Sequence, residues 1–499
     1  MVTNLVEYLS FQNENNRNKV AVIDEKLKIT FGELYNSAHN MGKEIFDACR
    51  KTNCPIIVYL EKSIYQYVSL LGVLCSGNYY VPLDTKMPTE RLKKIIETLG
   101  AELIITDNLL VDRIKEASSA VSCFIVSELK KDICEKTYEK EIIDTDPAYV
   151  LFTSGSTGVP KGVTISHKAV IDYIEWQCKF LPFDDETVLG SQAPFYFDAS
   201  MPDIYTTICV GATLNIIPDR FFLLQNKLAE YIVKNGINTL IWVPSALINL
   251  CQSKAWDTNY LDKLRLVMFC GEVMPNKHLN IWRKKYKDTM FVNLYGPTEA
   301  AYACTYYIVD RAYKDDDALP IGKACENTKI LLINENGLVE VPNVEAELCI
   351  GGSCLANGYY NNSEKSQEAF VQNPLQNQYR EVLYKTGDIV KYNENYEIMF
   401  IGRKDFQIKH NGYRIELGEI ETACYQIDGV DYACIIYDEE KKEIVLFAKV
   451  CDSIDEKLIY SSLKRSLPKY MLPTKIVKVS EFPLNPNGKI DRKKLREML

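Results

Sequence analysis

The sequence predicts an α/β fold in which a large multi-sheet N-terminal domain is followed by a small mobile α+β C-terminal domain. Three observations carry this. The chain has 499 residues, more than one ordinary core accommodates. As far as roughly residue 400, short apolar runs rich in β-branched residues alternate with amphipathic stretches of helical period. Beyond that point the pattern changes to a few strands and helices of modest length.

Taken in order, the segment PIIVYL from Pro55 is short and uncharged, as a buried strand should be, and the helix-like SIYQYVSLLGVLCSG follows it. AELIITD from Ala101, TLIWVP from Thr239 and RLVMFCG from Arg265 read as further strands, each bounded by turn or helical residues. After Gly358 hairpin signals become denser, as in KYNENYEIMFIGR from Lys391, and imply a smaller sheet. The final stretch reads as helix ELGEIETACYQI, strands around YACIIYD and EIVLFAKV, helix LIYSSLKRSL, a short strand and a polar tail. This divides the chain into residues 1–403 and 404–499. With no long Pro/Gly/Ser linker and no internal repeat between them, a short hinge is expected.

Composition narrows the function. Hydrophobic residues at 47% and charged residues at 25% exclude disordered and fibrous classes. A net charge of -9 gives no bulk attraction to nucleic acid or to an anionic membrane, so neither is an expected partner. No apolar run is long enough to span a bilayer, which argues against stable membrane insertion. The 16 cysteines contain no C-x-x-C pair and the N-terminus lacks a signal-peptide pattern, which points to the cytoplasm. The 4 histidines have no zinc-finger spacing with cysteines, so no structural metal is expected.

The strongest local signal is LFTSGSTGVPKG, from Leu151 to Gly162. Hydroxyl residues and glycines follow an apolar strand, so backbone N–H groups and side-chain hydroxyls can approach a polyphosphate, with Lys161 adding charge. It does not fit the Walker A spacing. On composition alone a flexible Gly/Ser turn is the weaker alternative.

Its company decides between these. TSGSTGVPKG, FDAS at Phe197–Ser200, NLYGPTE at Asn293–Glu299, YKTGD at Tyr384–Asp388, GRKDFQIKHNGYRIELGEIE from Gly402 and NPNGKIDR from Asn485 occur in this order. Together they resemble the adenylate-forming superfamily of acyl- and aryl-CoA synthetases, luciferases and peptide-synthetase adenylation domains. More narrowly, the chain is similar to amino-acid adenylation domains of nonribosomal peptide synthetases and to free-standing D-alanine:D-alanyl-carrier-protein ligases. The resemblance runs from ITFGEL at Ile29 to the last residues.

The resemblance implies ATP and Mg²⁺ as cofactors and assigns roles residue by residue. Thr153, Ser154, Thr157 and Lys161 would hold the β,γ-phosphates, Thr298 would touch the α-phosphate and Glu299 would help to hold Mg²⁺. Asp388 would accept the ribose hydroxyls with Arg403 beside the same sugar, Tyr295 would face adenine and Asn293 would bond its edge. Lys489 would bridge the substrate carboxylate and the α-phosphate, and Asp405 would be the hinge about which the small domain rotates. Gly412 would lie on the surface facing a phosphopantetheine arm. These roles agree with the chemistry: a carboxylate attacking the α-phosphorus of ATP brings two anions together, so catalysis is mainly positioning and charge neutralisation.

The acid to be activated is read from the pocket positions. Asp198 falls where the amino-acid-activating branch places the carboxylate that pairs with the substrate's α-ammonium, and a buried carboxylate needs such a cation. The resemblance places Ala199, Pro202, Trp242, Met268, Cys270, Leu294, Tyr302 and Ala303 at the remaining positions. With bulky Trp242 and Tyr302 and no second charge, a short apolar pocket for a small neutral amino acid follows. The segments around Gln192 and Met268 look closer to the D-alanine ligases, although Ala199 is smaller than the leucine expected there. D-Alanine is therefore favoured, with a phosphopantetheinylated carrier protein in trans as acceptor. Another small L-amino acid in peptide synthesis, an acyl-CoA ligase and a degenerate nucleotide-binding member remain alternatives.

Overall fold

The computed structural model describes residues 2–132, 142–155, 160–451, 454–483 and 490–499. Among these, the large N-terminal region contains three sheets. The nine-stranded sheet is parallel through its centre, where Val20–Ile23, Thr213–Ile216, Val188–Ser191, Thr239–Trp242, Leu266–Phe269 and Met290–Tyr295 lie side by side. Antiparallel strands finish both edges. In the seven-stranded sheet, Pro147–Thr153, Tyr79–Pro82, Pro55–Val58, Leu103–Thr106 and Ser122–Ile125 are parallel. Lys161–Ser166 then folds back antiparallel on Pro147–Thr153.

Helices fill the space between these sheets for reasons visible in their sequences. Phe31–Cys49 starts with a capping box, in which the Thr30 hydroxyl accepts from the Glu33 N–H and the Glu33 carboxylate accepts from the Thr30 N–H. The next helix, Ile64–Cys75, is apolar nearly all round and is buried accordingly. Where the two helices cross, a Cβ on Gly72 would come within 2.9 Å of Met41, so the absence of a side chain sets their approach. One core cluster draws side chains from both sheets, and a second, including Trp242, Phe269 and Trp282, lies on the far side of the nine-stranded sheet.

The third sheet is antiparallel and carries Ala346–Gly352, Val382–Tyr392 and Ile398–Arg403. It begins with Thr328–Asn334, upstream of Gly358, where hairpin signals in the sequence become dense. The hairpin expected around Lys391 joins its last two strands.

The smaller C-terminal region is α+β among its described residues. Its first hairpin pairs Gln407–His410 with Tyr413–Glu416. Asn411 and Gly412 between them both have positive φ, 51° and 80°, the geometry of a type I′ turn, for which Asn-Gly is the preferred pair. Helix Leu417–Tyr425, strands Val430–Asp438 and Glu443–Val450, helix Glu456–Ser466 and strand Lys475–Lys478 follow. One face of this three-stranded sheet is covered by Leu417–Tyr425 and Glu456–Ser466, and the other by residues around Ile490 and Leu495.

Candidate active site

In an open parallel sheet the carboxyl ends of the strands are where a ligand crevice forms. Here those ends converge from two sheets. Thr153 and Ser154 end Pro147–Thr153, and Gln192, Val243, Cys270 and Gly296 directly follow four neighbouring strands of the nine-stranded sheet. All six line one cavity of about 140 Å³, closed from the other side by Gln407, Lys409 and Asn411–Arg414 of the small domain. Gly296 is required by its surroundings: a Cβ there would lie 2.5 Å from the Ala303 Cα and from the Tyr302 carbonyl oxygen.

Asp198 lines the cavity at the start of the turn that leads into helix Met201–Val210. Its carboxylate accepts a hydrogen bond from the Thr298 hydroxyl at 2.6 Å. Enclosure by protein raises its pKa, a shift that the Thr298 hydroxyl and the nearby Lys409 charge oppose. Ala199, Cys270 and Tyr302 share the wall. Burial pushes the Cys270 thiol up to about 11, so it is a neutral surface at physiological pH. Ala301 and Tyr302 both adopt left-handed backbone conformations, at φ 49° and 87°; for a residue as bulky as tyrosine this is a strained position, held by the close packing against Gly296.

The other expected pocket residues lie behind this wall. Met268, Leu294 and Ala303 are part of the first core and Pro202 is buried at the start of its helix. Trp242 points into the second core, donates its indole N–H to the Gly190 carbonyl at 2.7 Å and packs edge-on against Phe222. The cavity surface next to it is Val243, the residue after the strand, which is partly buried against the same second core.

Thr298, Asp388 and Arg403 line another part of the same cavity. Asp388 accepts from the Tyr295 hydroxyl and from Arg403, whose guanidinium also forks onto Asp405 at 2.6 and 2.8 Å. Lys409 sits 5.5 Å from the centre of the Tyr295 ring. Asn293 is buried and donates to the Pro320 carbonyl at 2.8 Å.

At the Thr153 end of the cavity, the Thr153 hydroxyl is buried and has no partner among the described residues. The Ser154 hydroxyl donates to the Arg414 carbonyl at 2.9 Å and accepts from the Glu416 N–H at 3.2 Å. The Gly155 N–H donates to Glu419 at 3.0 Å, and Glu419 is also paired with Arg91. Glu299 is fully buried between Arg414, at 2.6 Å, and the Tyr359 hydroxyl, at 2.8 Å. Burial alone would push the Glu299 carboxyl up; Arg414 and Lys161 more than reverse this and hold it at about 2. Lys161 lies against the Tyr359 ring and 3.9 Å from Glu416, its pKa lowered by burial and by Arg414. Thr157 and Lys489 lie outside the described residues.

Residues 9–360 match the family of AMP-binding enzymes. The chain belongs to that family. This AMP-binding enzyme is 32% identical over 485 residues to zwittermicin A synthase ZmaJ of Bacillus cereus, covering 96% of the chain and 91% of that relative. It is 31% identical over 507 residues to a D-alanine--D-alanyl carrier protein ligase of Bacillus licheniformis, covering 99% of each. Its fold matches that of the Vibrio cholerae adenylation domain AlmE, solved in complex with glycyl-adenosine-5'-phosphate, with a TM-score of 0.86 at 22% identity over 100% of this chain and 98% of that one. The protein is thus an AMP-forming adenylating enzyme, and family membership implies the use of ATP and Mg²⁺.

The residues present fit those groups. The Thr153 hydroxyl, without a partner among the described residues, offers a donor to phosphate, the Ser154 hydroxyl and Gly155 N–H could do so once released from Arg414 and Glu419, Asp388 offers a carboxylate to ribose, and Glu299 is the acidic side chain next to Lys161. Among the described residues no cluster of three or more His, Cys, Asp or Glu forms a metal cage. Magnesium carried on phosphate oxygens needs only one or two protein carboxylates, and bound there it would neutralise phosphate charge. Sequence reasoning passed over Lys409, Arg414, Glu416 and Glu419, all within the quoted GRKDFQIKHNGYRIELGEIE segment, and Arg91, for which no local motif existed.

Proposed function

We propose that this enzyme activates a small neutral amino acid, with D-alanine favoured, as its aminoacyl-AMP and passes it to the phosphopantetheine thiol of a separate carrier protein. The observation that carries the amino-acid reading is Asp198. A carboxylate enclosed by protein, held by the Thr298 hydroxyl and the Ala199 N–H and with no ion pair among the described residues, is the right counter-charge for an α-ammonium, whereas a fatty or aryl acid would leave it uncompensated. The wall of Ala199, Cys270 and Tyr302 supports a short, uncharged side chain. None of the cysteines among the described residues forms a disulfide, which agrees with a reducing cytoplasm.

In this reading Thr153, Ser154, Thr157 and Lys161 hold the phosphates, Thr298 the α-phosphate, Asp388 and Arg403 the ribose, Tyr295 and Asn293 the adenine, and Glu299 the magnesium. Lys489 serves adenylation, and rotation about Asp405 replaces it with the Asn411–Gly412 turn for transfer. The position of that turn supports a transfer-stage arrangement. Gly412 donates its N–H to Glu272 at 2.8 Å, and a Cβ on it would meet Val243 at 3.0 Å, so the turn closes against the cavity mouth. A second reading shares every motif and differs only in the pocket: the same chemistry loads another small amino acid for peptide synthesis, and the similarity to a synthase, ZmaJ, is compatible with it. Pyrophosphate exchange across a panel of D- and L-amino acids separates the two. Selective exchange with D-alanine supports the first and exchange confined to an L-amino acid supports the second. Exchange with propionate but with no amino acid overturns both.

A further inference from the structure

We propose that the small domain carries a charge replica of magnesium pyrophosphate, Arg414 standing for the cation and Glu419 for the anion, which takes over the phosphate end of the cleft once that product has left. The proposal rests on the reading of Ser154–Gly155 as a phosphate loop and of Glu299 as the carboxylate that faces the metal. Glu419 is 1% exposed and holds two partners from the large domain, the Gly155 N–H at 3.0 Å and the Arg91 side chain. A loop N–H after a parallel strand is where a phosphate oxygen is bound, and here a carboxylate oxygen has it. Arg414 places its guanidinium 2.6 Å from Glu299, where a cation is wanted. The Ser154 hydroxyl is meanwhile held between the Arg414 carbonyl and the Glu416 N–H.

Packing of one domain on another does not call for this arrangement. The edge-on contact of Phe197 with Tyr413, ring centres 5.0 Å apart, already supplies apolar adhesion. What the charged residues add is exclusion: the Gly155 N–H cannot serve Glu419 and a phosphate oxygen together, and Glu299 cannot serve Arg414 and a metal together. The seated conformer and the pyrophosphate-bound conformer are therefore alternatives, and a ligand of one depopulates the other. Arg414 and Glu419 are positioning residues that order the reaction, letting the hairpin Gln407–Glu416 seat only after pyrophosphate departs.

The test is calorimetric titration of the whole protein with magnesium pyrophosphate, together with hydrogen exchange of residues 407–425. In the wild type, pyrophosphate is expected to bind and to raise exchange across this segment. Glu419→Gln is expected to bind it about tenfold or more tightly, because the apparent Kd falls as the competent fraction rises. The double variant Arg91→Met/Glu419→Met removes both buried charges together, keeps the test open if the single variant does not fold, and is expected to show the same tightening. Equal Kd values in all three proteins, or unchanged exchange on binding, would overturn the replica while leaving the phosphate loop intact. No binding to any of them would overturn the phosphate-loop reading itself.

Discussion

The two ends of the cleft differ in who builds them. At the amino-acid end Asp198, Ala199, Cys270 and Tyr302 sit on or directly after elements of the large domain, and their geometry is fixed by sheet register and by the Gly296 contact. At the phosphate end the donors of the large domain are met by charges of the small one: Arg414 on Glu299, and Glu419 on Gly155. The first end is a wall built by one region and the second a contact between two. On the proposed function, substrate choice and reaction timing would reside in separate parts of the molecule, and variants should separate them.

The largest effect is expected at Lys489. Replacing it with Ala should lower pyrophosphate exchange by about a hundredfold or more, the scale for losing one preorganised charge. Transfer from a preformed aminoacyl-AMP should persist. If exchange stayed near wild type, Lys489 would have no catalytic part.

Asp405→Pro should act next most strongly, and on one half-reaction only. Proline fixes φ and removes the N–H, so one relative placement of the domains is favoured over the other. The fork of Arg403 onto Asp405 would be lost as well. Exchange and carrier loading, measured separately on the same preparation, should diverge by at least about tenfold; equal losses in a folded protein would argue against alternation.

A smaller effect is expected on stability. The Glu299 carboxyl is lowered from 4.5 to about 2, so its contribution is fully present above the unfolded value and is lost as pH falls through the folded one. A shift of this size corresponds to about 3 kcal/mol. Glu299→Gln should therefore be less stable than wild type by about that amount at pH 7, and the gap should narrow below pH 4.5 and close near pH 2. Denaturant midpoints across this range would show it; a gap independent of pH would mean that Glu299 does not act as a paired carboxylate.

Legibility in the sequence followed the same division. Strand ends were readable because β-branched runs and the glycine-rich turns after them are local signals, and Asp198, Cys270 and Tyr302 line one cavity. Trp242 was misleading because motif position gives a place along a strand, not the face its side chain takes. Arg91 and Glu419 are 328 residues apart, and neither is recognisable until folding brings them together. The third sheet begins at Thr328, earlier than the hairpin signals suggested, because its first strand pairs with Ala346–Gly352 across a longer connection.

The central claim is that the large-domain end of the cleft reads an amino acid through Asp198, and the most direct measurement is the ratio of alanine to propionate activation in the wild type and in Asp198→Ala. Removing the carboxylate leaves the substrate ammonium enclosed without a partner, at a cost of about 3–5 kcal/mol. At ~1.4 kcal/mol per tenfold, alanine-dependent pyrophosphate exchange should fall by roughly two to three orders of magnitude. Propionate carries no ammonium, so its activation should change little and the ratio should collapse. An equal fall for both acids would make Asp198 a structural support of the Thr298 loop and would contradict the amino-acid assignment.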